Sequence, residues 1–307
     1  MPTMPPSHHR NPLSALLVDI KISHTVFAMP FAVLGGFMAA STFGSVVWAD
    51  FAGQLTLIVL CMVFARTVAM LSNRILDRAI DGMNPRTKHR AIPSGTASLP
   101  AARLLLIINA LLFVLTASGF GVAWNNWLPL ILSVPILTWL VVYPFLKRFT
   151  WLCHLYLGAS LAMSPLAAAI AVRPETLTLL PIWLLSGAVL CWVAGFDIIY
   201  ALQDVEIDQR DNLKSMPASL GTKPAMLMSQ MLHCLCVALL FGVATTDPRM
   251  EWLFLGAVFV IALLLIYEHL TVNKWGTTKI ALTFFTLNGI VSLVLGVAGI
   301  VDLLSSQ

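Results

Sequence analysis

Nine apolar stretches, at about 22–42, 52–74, 99–121, 127–146, 150–172, 176–203, 223–246, 250–270 and 280–303, take up most of the chain. Each is close to the ~20 residues that a helix needs to cross a ~30 Å hydrocarbon core at 1.5 Å per residue. The pattern predicts an all-α polytopic membrane protein with nine transmembrane helices. Composition agrees: 59% of the 307 residues are hydrophobic and 10% are charged, against roughly 25% charged in a soluble domain. Membrane lipids are therefore expected partners. The net charge of +4 is small and spread over loops, which argues against nucleic acid as a partner.

Residues 1–21 read as a cytoplasmic tail and an interfacial helix, and 22–307 as a single transmembrane domain. Asn11 and Pro12 form an N-cap with proline at the first helical position. Leu13, Leu16, Leu17 and Ile20 then share one face, as in a helix lying in the membrane interface. The first long apolar run has no convincing cleavage site, so no signal peptide is expected. Of 18 Lys and Arg, fifteen fall on the side of the N-terminus, Arg173 and Arg249 fall on the other, and Arg66 lies within a span. The positive-inside rule places the N-terminus in the cytoplasm. The five cysteines lack zinc-ligand spacing and read as packing residues.

Against this apolar background two acidic clusters stand out. Asn73, Asp77 and Asp81 form an N-x-x-x-D-x-x-x-D run after span 2, and Asp204 and Asp208 form D-x-x-x-D after span 6. Both fall on the cytoplasmic side. Residues four apart on a helix lie one above the other, so each cluster is expected to form a stripe. Tyr200 and Asp197 extend the second. Carboxylates so placed repel one another unless a cation binds between them. Mg2+ suits hard oxygen ligands, taking one or two carboxylates per ion and bridging to substrate phosphates. Solvated helix ends explain either cluster alone, but explain both at matching positions poorly.

Basic residues follow the same ends. The segment GMNPRTKHRAIPSG carries Arg86, Lys88 and Arg90 beside the first cluster, close enough in sequence to meet a phosphate. Tyr143, Lys147 and Arg148 close span 4. Arg66 lies in span 2 on the face of Asn73, where a charge is expected to pair with a cavity carboxylate. His24 and His154 lie in or near spans, where a lone histidine reads first as a hydrogen-bonded packing residue. Glu268 reads as a snorkelling residue at a span end.

Together these motifs resemble the UbiA family of intramembrane prenyltransferases. N-R-I-L-D-R-A-I-D followed by N-P-R-T-K-H-R-A-I-P-S-G is similar to the family's N-x-x-x-D-x-x-x-D and R-T-x-x-R-P-L-P-S-G. D-I-I-Y-A-L-Q-D-V-E-I-D is similar to its D-x-x-Y-A-x-Q-D-x-x-x-D, and Tyr143 to Lys147 match its Y-x-x-x-K. The resemblance covers essentially the whole chain. It departs at Ala91, where the family often has proline, a change expected to be neutral.

The resemblance implies a helical bundle around a central cavity in a bacterial cytoplasmic (inner) membrane, with the active site facing the cytoplasm. It implies Mg2+ at Asp77, Asp81, Asp204 and Asp208, with Asn73 assisting. Arg86, Lys88, Arg90, Tyr143 and Lys147 would bind the diphosphate of a polyprenyl diphosphate. Arg148, with Arg66, Tyr200, His24 and His154, would contact a hydroxylated aromatic carboxylate of the 4-hydroxybenzoate type, and Asp197 would orient it or take its proton. The expected activity is prenyl transfer to that ring in respiratory quinone biosynthesis. 1,4-Dihydroxy-6-naphthoate in menaquinone synthesis by the futalosine route is an alternative acceptor. Haem or chlorophyll prenylation is a more distant alternative, as is a transporter.

Overall fold

The computed structural model describes residues 12–20, 28–42, 44–280 and 286–306. Among these the chain is helical, with no strands. A short helix α1 (Pro12–Asp19) precedes α2 (Met29–Ala40) and the long α3 (Trp48–Leu76). After α4 (Arg78–Met83) come α5 (Leu99–Trp124) and α6 (Leu128–Val142), the latter continued by a 3-10 turn over Tyr143–Arg148. The second half holds α7 (Cys153–Val172), α8 (Leu180–Ala201), α9 (Val205–Arg210), α10 (Met216–Leu220), α11 (Thr222–Thr246), α12 (Trp252–Trp275) and α13 (Asn288–Ser305).

Proline at the first turn opens α2, α5, α6, α8 and α10, where its missing N–H costs nothing and its φ is already helical. Ser98 caps α5 by accepting the Ala101 amide. Gly221, at φ 90°, makes the reversal from α10 to α11 in a region that L side chains avoid.

Among the described residues, eight helices are long and apolar enough to cross a membrane. The expected first span is the exception. Its described part, α2, has 12 residues, and Lys21 to Phe27 lie outside the described residues, as does His24. The α2 helix is nonetheless central. A Cβ on Gly35 would sit 2.5 Å from the Pro165 carbonyl oxygen of α7, so only glycine permits that approach.

The main core joins α2, α7, α8, α11, α12 and α13 around Phe31, Leu34, Trp192, Phe196, Phe254 and Leu295. A polar seam runs through it. The Trp192 indole donates to Asn288 Oδ1 at 2.8 Å, Asn288 donates to Glu268 Oε1 at 3.4 Å, and His233 meets His269 at 3.0 Å. Glu268 does not snorkel: it is buried in this seam, because its helix continues to Trp275 and carries it inward from the end.

Candidate functional site

Both acidic clusters lie where a long helix breaks. Helix α3 ends at Leu76, Asp77 takes φ −90° and ψ 3°, and α4 begins at Arg78. Likewise α8 ends at Ala201, a 3-10 turn covers Leu202–Asp204, and α9 begins at Val205. The expected continuous stripes are therefore interrupted at Asp77 and at Asp204. The four-residue backbone ladder survives at the first break, where the Asp77 amide donates to the Asn73 carbonyl and that of Asp81 to the Asp77 carbonyl.

The loop after α4 brings the clusters together. Arg86 donates to both Asp204 oxygens, at 3.2 and 2.6 Å, and to the Tyr200 hydroxyl at 3.1 Å. Burial disfavours its charge, but Tyr200 and Asp204 outweigh that and hold the guanidinium above its ordinary pKa. Asn84, not among the expected site residues, also donates to Asp204 at 3.5 Å. A lone Asn before a proline reads as a turn residue, and nothing in its spacing marks it out. Arg90 returns to Asp81 with one nitrogen 2.7 Å from each oxygen. Lys88 is exposed and makes no ion pair with these carboxylates, so the loop turns two of its three expected cations inward.

The end of α6 supplies the rest. Lys147 Nζ lies 2.5 Å from Asp77 Oδ2, and Arg148 reaches Asp77 Oδ1 at 3.1 Å and the Leu76 carbonyl at 3.0 Å. Asn73 donates to Asp77 at 3.4 Å and accepts from Arg74 at 2.7 Å. Arg74 is a second neighbour that the sequence did not single out. Asp208 lies within electrostatic range of Asp204, Lys147 and His154.

Among the described residues no three carboxylate or imidazole groups converge as a ready-made metal cage. The donor set nonetheless fits Mg2+. All its carboxylates are hard oxygen donors at one end of the bundle, and this ion typically takes only one or two of them, completing its shell with water and substrate phosphate.

Two of the expected contacts with a second substrate, His154 and Arg66, sit in contrasting surroundings. His154 is buried and has both ring nitrogens engaged: Nδ1 with Asp197 Oδ2 at 2.7 Å, and Nε2 with the Met216 amide at 3.1 Å. An amide can only donate, so Nε2 carries the lone pair and Nδ1 the proton. His154 thus links Asp197 to the Met216 amide. Arg66 meets no carboxylate among the described residues, and its buried Nε has no hydrogen-bond partner. It lines an apolar cavity of about 350 Å³ between α3, α5, α6 and α7, together with Tyr143, Phe113, Phe120, Leu140 and Leu161. Among the described residues, Arg66 is the one charged residue in that lining. From Met70 to Ile58 the cavity follows α3 for about 18 Å at 1.5 Å per residue.

Comparison with known proteins gives one consistent picture. A 4-hydroxybenzoate octaprenyltransferase of Edwardsiella ictaluri is 30% identical over 245 residues, covering 79% of this chain and 82% of its own length. The solved apo structure of a UbiA homologue from Aeropyrum pernix K1 superposes with a TM-score of 0.80 at 30% identity, over 92% of this chain and 98% of that one. A UbiA homologue from Archaeoglobus fulgidus, solved with GPP and Mg2+, shares the fold at a TM-score of 0.68 and 18% identity, over 94% of this chain and 99% of that one. The UbiA prenyltransferase family model matches residues 28–290, and with eight membrane-length helices behind that match the chain is an integral membrane protein belonging to the UbiA prenyltransferase family.

Proposed function

We propose that the chain transfers a polyprenyl group from a polyprenyl diphosphate to the ring of a hydroxylated aromatic carboxylate, with Mg2+, in respiratory quinone biosynthesis. The observation that carries this reading is the Arg66 guanidinium in an apolar cavity, its Nε without a partner, on the same helix that ends at the first cluster of aspartates and cations. A long apolar tail, a diphosphate and an aromatic carboxylate each find a complement there. The Edwardsiella relative is named for 4-hydroxybenzoate, and the Archaeoglobus homologue was solved with a prenyl diphosphate and Mg2+. Both support the choice. In this reading that end faces the cytoplasm at a bacterial inner membrane, an orientation that the basic loops and the positive-inside rule support.

Asp77, Asp81, Asp204 and Asp208, with Asn73, would hold Mg2+. Bound there, the ion would neutralise charge on the leaving diphosphate. Arg86, Arg90 and Lys147 add fixed positive charge at the same oxygens, with Lys88 at the rim and Tyr143 on the cavity side. The allylic C1–O bond breaks and the electron pair leaves with the diphosphate. Apolar walls exclude water from the resulting cation. The ring carbon ortho to the phenol attacks C1, and the displaced ring proton passes to Asp197. Arg66 and Arg148 bind the acceptor carboxylate, while Tyr200 borders it.

The test is product formation in membranes given a polyprenyl diphosphate, Mg2+ and either 4-hydroxybenzoate or 1,4-dihydroxy-6-naphthoate. Product from the first is expected. Product from the second alone reassigns the acceptor, and product from neither overturns the reading.

A further inference from the structure

Ala91 stands where the resembling motif often has proline, and the difference is one N–H. Ala91 is 3% exposed, so its amide must find a partner within the protein. It donates to the Asp19 carboxylate of α1, 72 residues away in sequence. The substitution that seemed neutral thus carries a tertiary contact. We propose that Asp19 is a positioning residue for the basic loop, holding Arg90 and Arg86 in register with the two acidic clusters. The kinetic part of this proposal rests on the prenyl transfer proposed above.

The contact is backed by packing. Ala15 and Leu16 of α1, and Ile20 just after it, are buried against Leu71, Ile75, Ala91, Ala97 and Ala102, so α1 bridges the end of α3, the loop and the start of α5. The loop is itself tightly tied. The Ser94 amide donates to the Arg90 carbonyl at 3.0 Å, the Ala97 amide to the Ala91 carbonyl at 2.9 Å, and the Thr87 hydroxyl to the Asp81 carbonyl at 3.0 Å. Fixing Ala91 therefore fixes its neighbour Arg90, whose guanidinium bridges both oxygens of Asp81. On its outer side α1 exposes Leu13, Leu17 and Val18, a face suited to lipid at the membrane surface. One helix thereby joins the bilayer to the loop.

The test uses the full chain in lipid nanodiscs. Hydrogen exchange of the amides from Lys88 to Ala97 is measured first, without substrate, in Asp19→Ala and Asp19→Asn. Asp19→Ala should speed exchange at Ala91 and its neighbours by about tenfold, the scale of a lost hydrogen bond to a charged group. Asp19→Asn keeps an acceptor oxygen and should stay within about threefold of the parent chain. Steady-state kinetics follow. Asp19→Ala should raise KM for the polyprenyl diphosphate and lower kcat, each several-fold, leaving the acceptor KM unchanged. Ala91→Pro removes the donor from the other side. The Asp19→Ala/Ala91→Pro double variant should lose no more than the worse single variant. Unchanged exchange in Asp19→Ala, a parallel rise in the acceptor KM, or losses that multiply in the double variant would each overturn the proposal. The exchange arm needs no substrate, so a failure of the prenyl-transfer reading leaves it standing as a separate result.

Discussion

The His154 imidazole donates its Nδ1–H to Asp197 Oδ2 at 2.7 Å while its Nε2 accepts the Met216 amide at 3.1 Å. The two bonds can be broken separately. In His154→Asn an amide NH2 stands near the Nδ1 position and keeps the bond to Asp197. In His154→Gln the amide stands near the Nε2 position, which keeps a partner for Met216 and leaves Asp197 without its donor. If Asp197 takes the ring proton, kcat should fall by about tenfold or more in the Gln variant and by under about threefold in the Asn variant. A larger loss in the Asn variant than in the Gln variant would show that His154 serves the start of α10 at Met216 instead.

Asp77 and Asp204, at the two helix breaks, should tolerate substitution least. Asp77→Ala and Asp204→Ala are each expected to lower turnover by at least about a hundredfold, the scale seen when one preorganised electrostatic group is lost. Both proteins should still insert in the membrane. A chelator should abolish activity of the parent chain and added Mg2+ should restore it. Near-parental rates in either variant would remove that aspartate from the metal set.

Arg66 offers a trade between stability and binding. A buried polar group without a partner costs about 1–3 kcal/mol, so Arg66→Met should raise the thermal unfolding temperature in detergent. It should also raise the acceptor KM while leaving the polyprenyl diphosphate KM unchanged. A destabilised Arg66→Met protein would mean that the guanidinium has a structural partner.

Gly158 sets the distance between α7 and α8. A Cβ there would lie 2.5 Å from the Leu190 carbonyl oxygen, so Gly158→Ala must push the helices apart. Overpacking of this kind costs about 1–3 kcal/mol. Since α7 carries His154 and α8 carries Asp197, kcat should fall along with stability. An unfolding scan with a rate measurement on the same preparation checks both.

Most of the helical spans could be read from hydropathy alone. The apolar runs near 99–121, 223–246 and 250–270 became Leu99–Trp124, Thr222–Thr246 and Trp252–Trp275, because lipid forces backbone hydrogen bonds to close within each segment. The helix breaks at Asp77 and Asp204 were not legible. Four-residue spacing continues across them, and polar residues at a membrane edge are compatible with helix or turn. The role of Asn84 was hidden for a related reason, since its partner Asp204 is 120 residues distant and no local pattern reports such a contact. His154 and Arg66 stand out in sequence as polar residues in apolar segments. What each touches depends on how α3, α7 and α8 pack, which one-dimensional spacing does not encode.

The ion pairs at the bundle's end have a consequence for how tightly the site can hold anything. Arg86, Arg90, Lys147 and Arg148 each already hold an aspartate. An arriving diphosphate with its metal therefore does not meet bare charges. On the reading proposed above it would swap partners: the cations would turn to phosphate and the carboxylates to metal, so the number of satisfied charges would change little. Such an exchange is close to balanced in free energy, because every new ion pair forms at the expense of an old one. A nearly balanced exchange also runs backwards readily, and it gives free diphosphate, once the prenyl group has left, a way out of a site that would otherwise grip it.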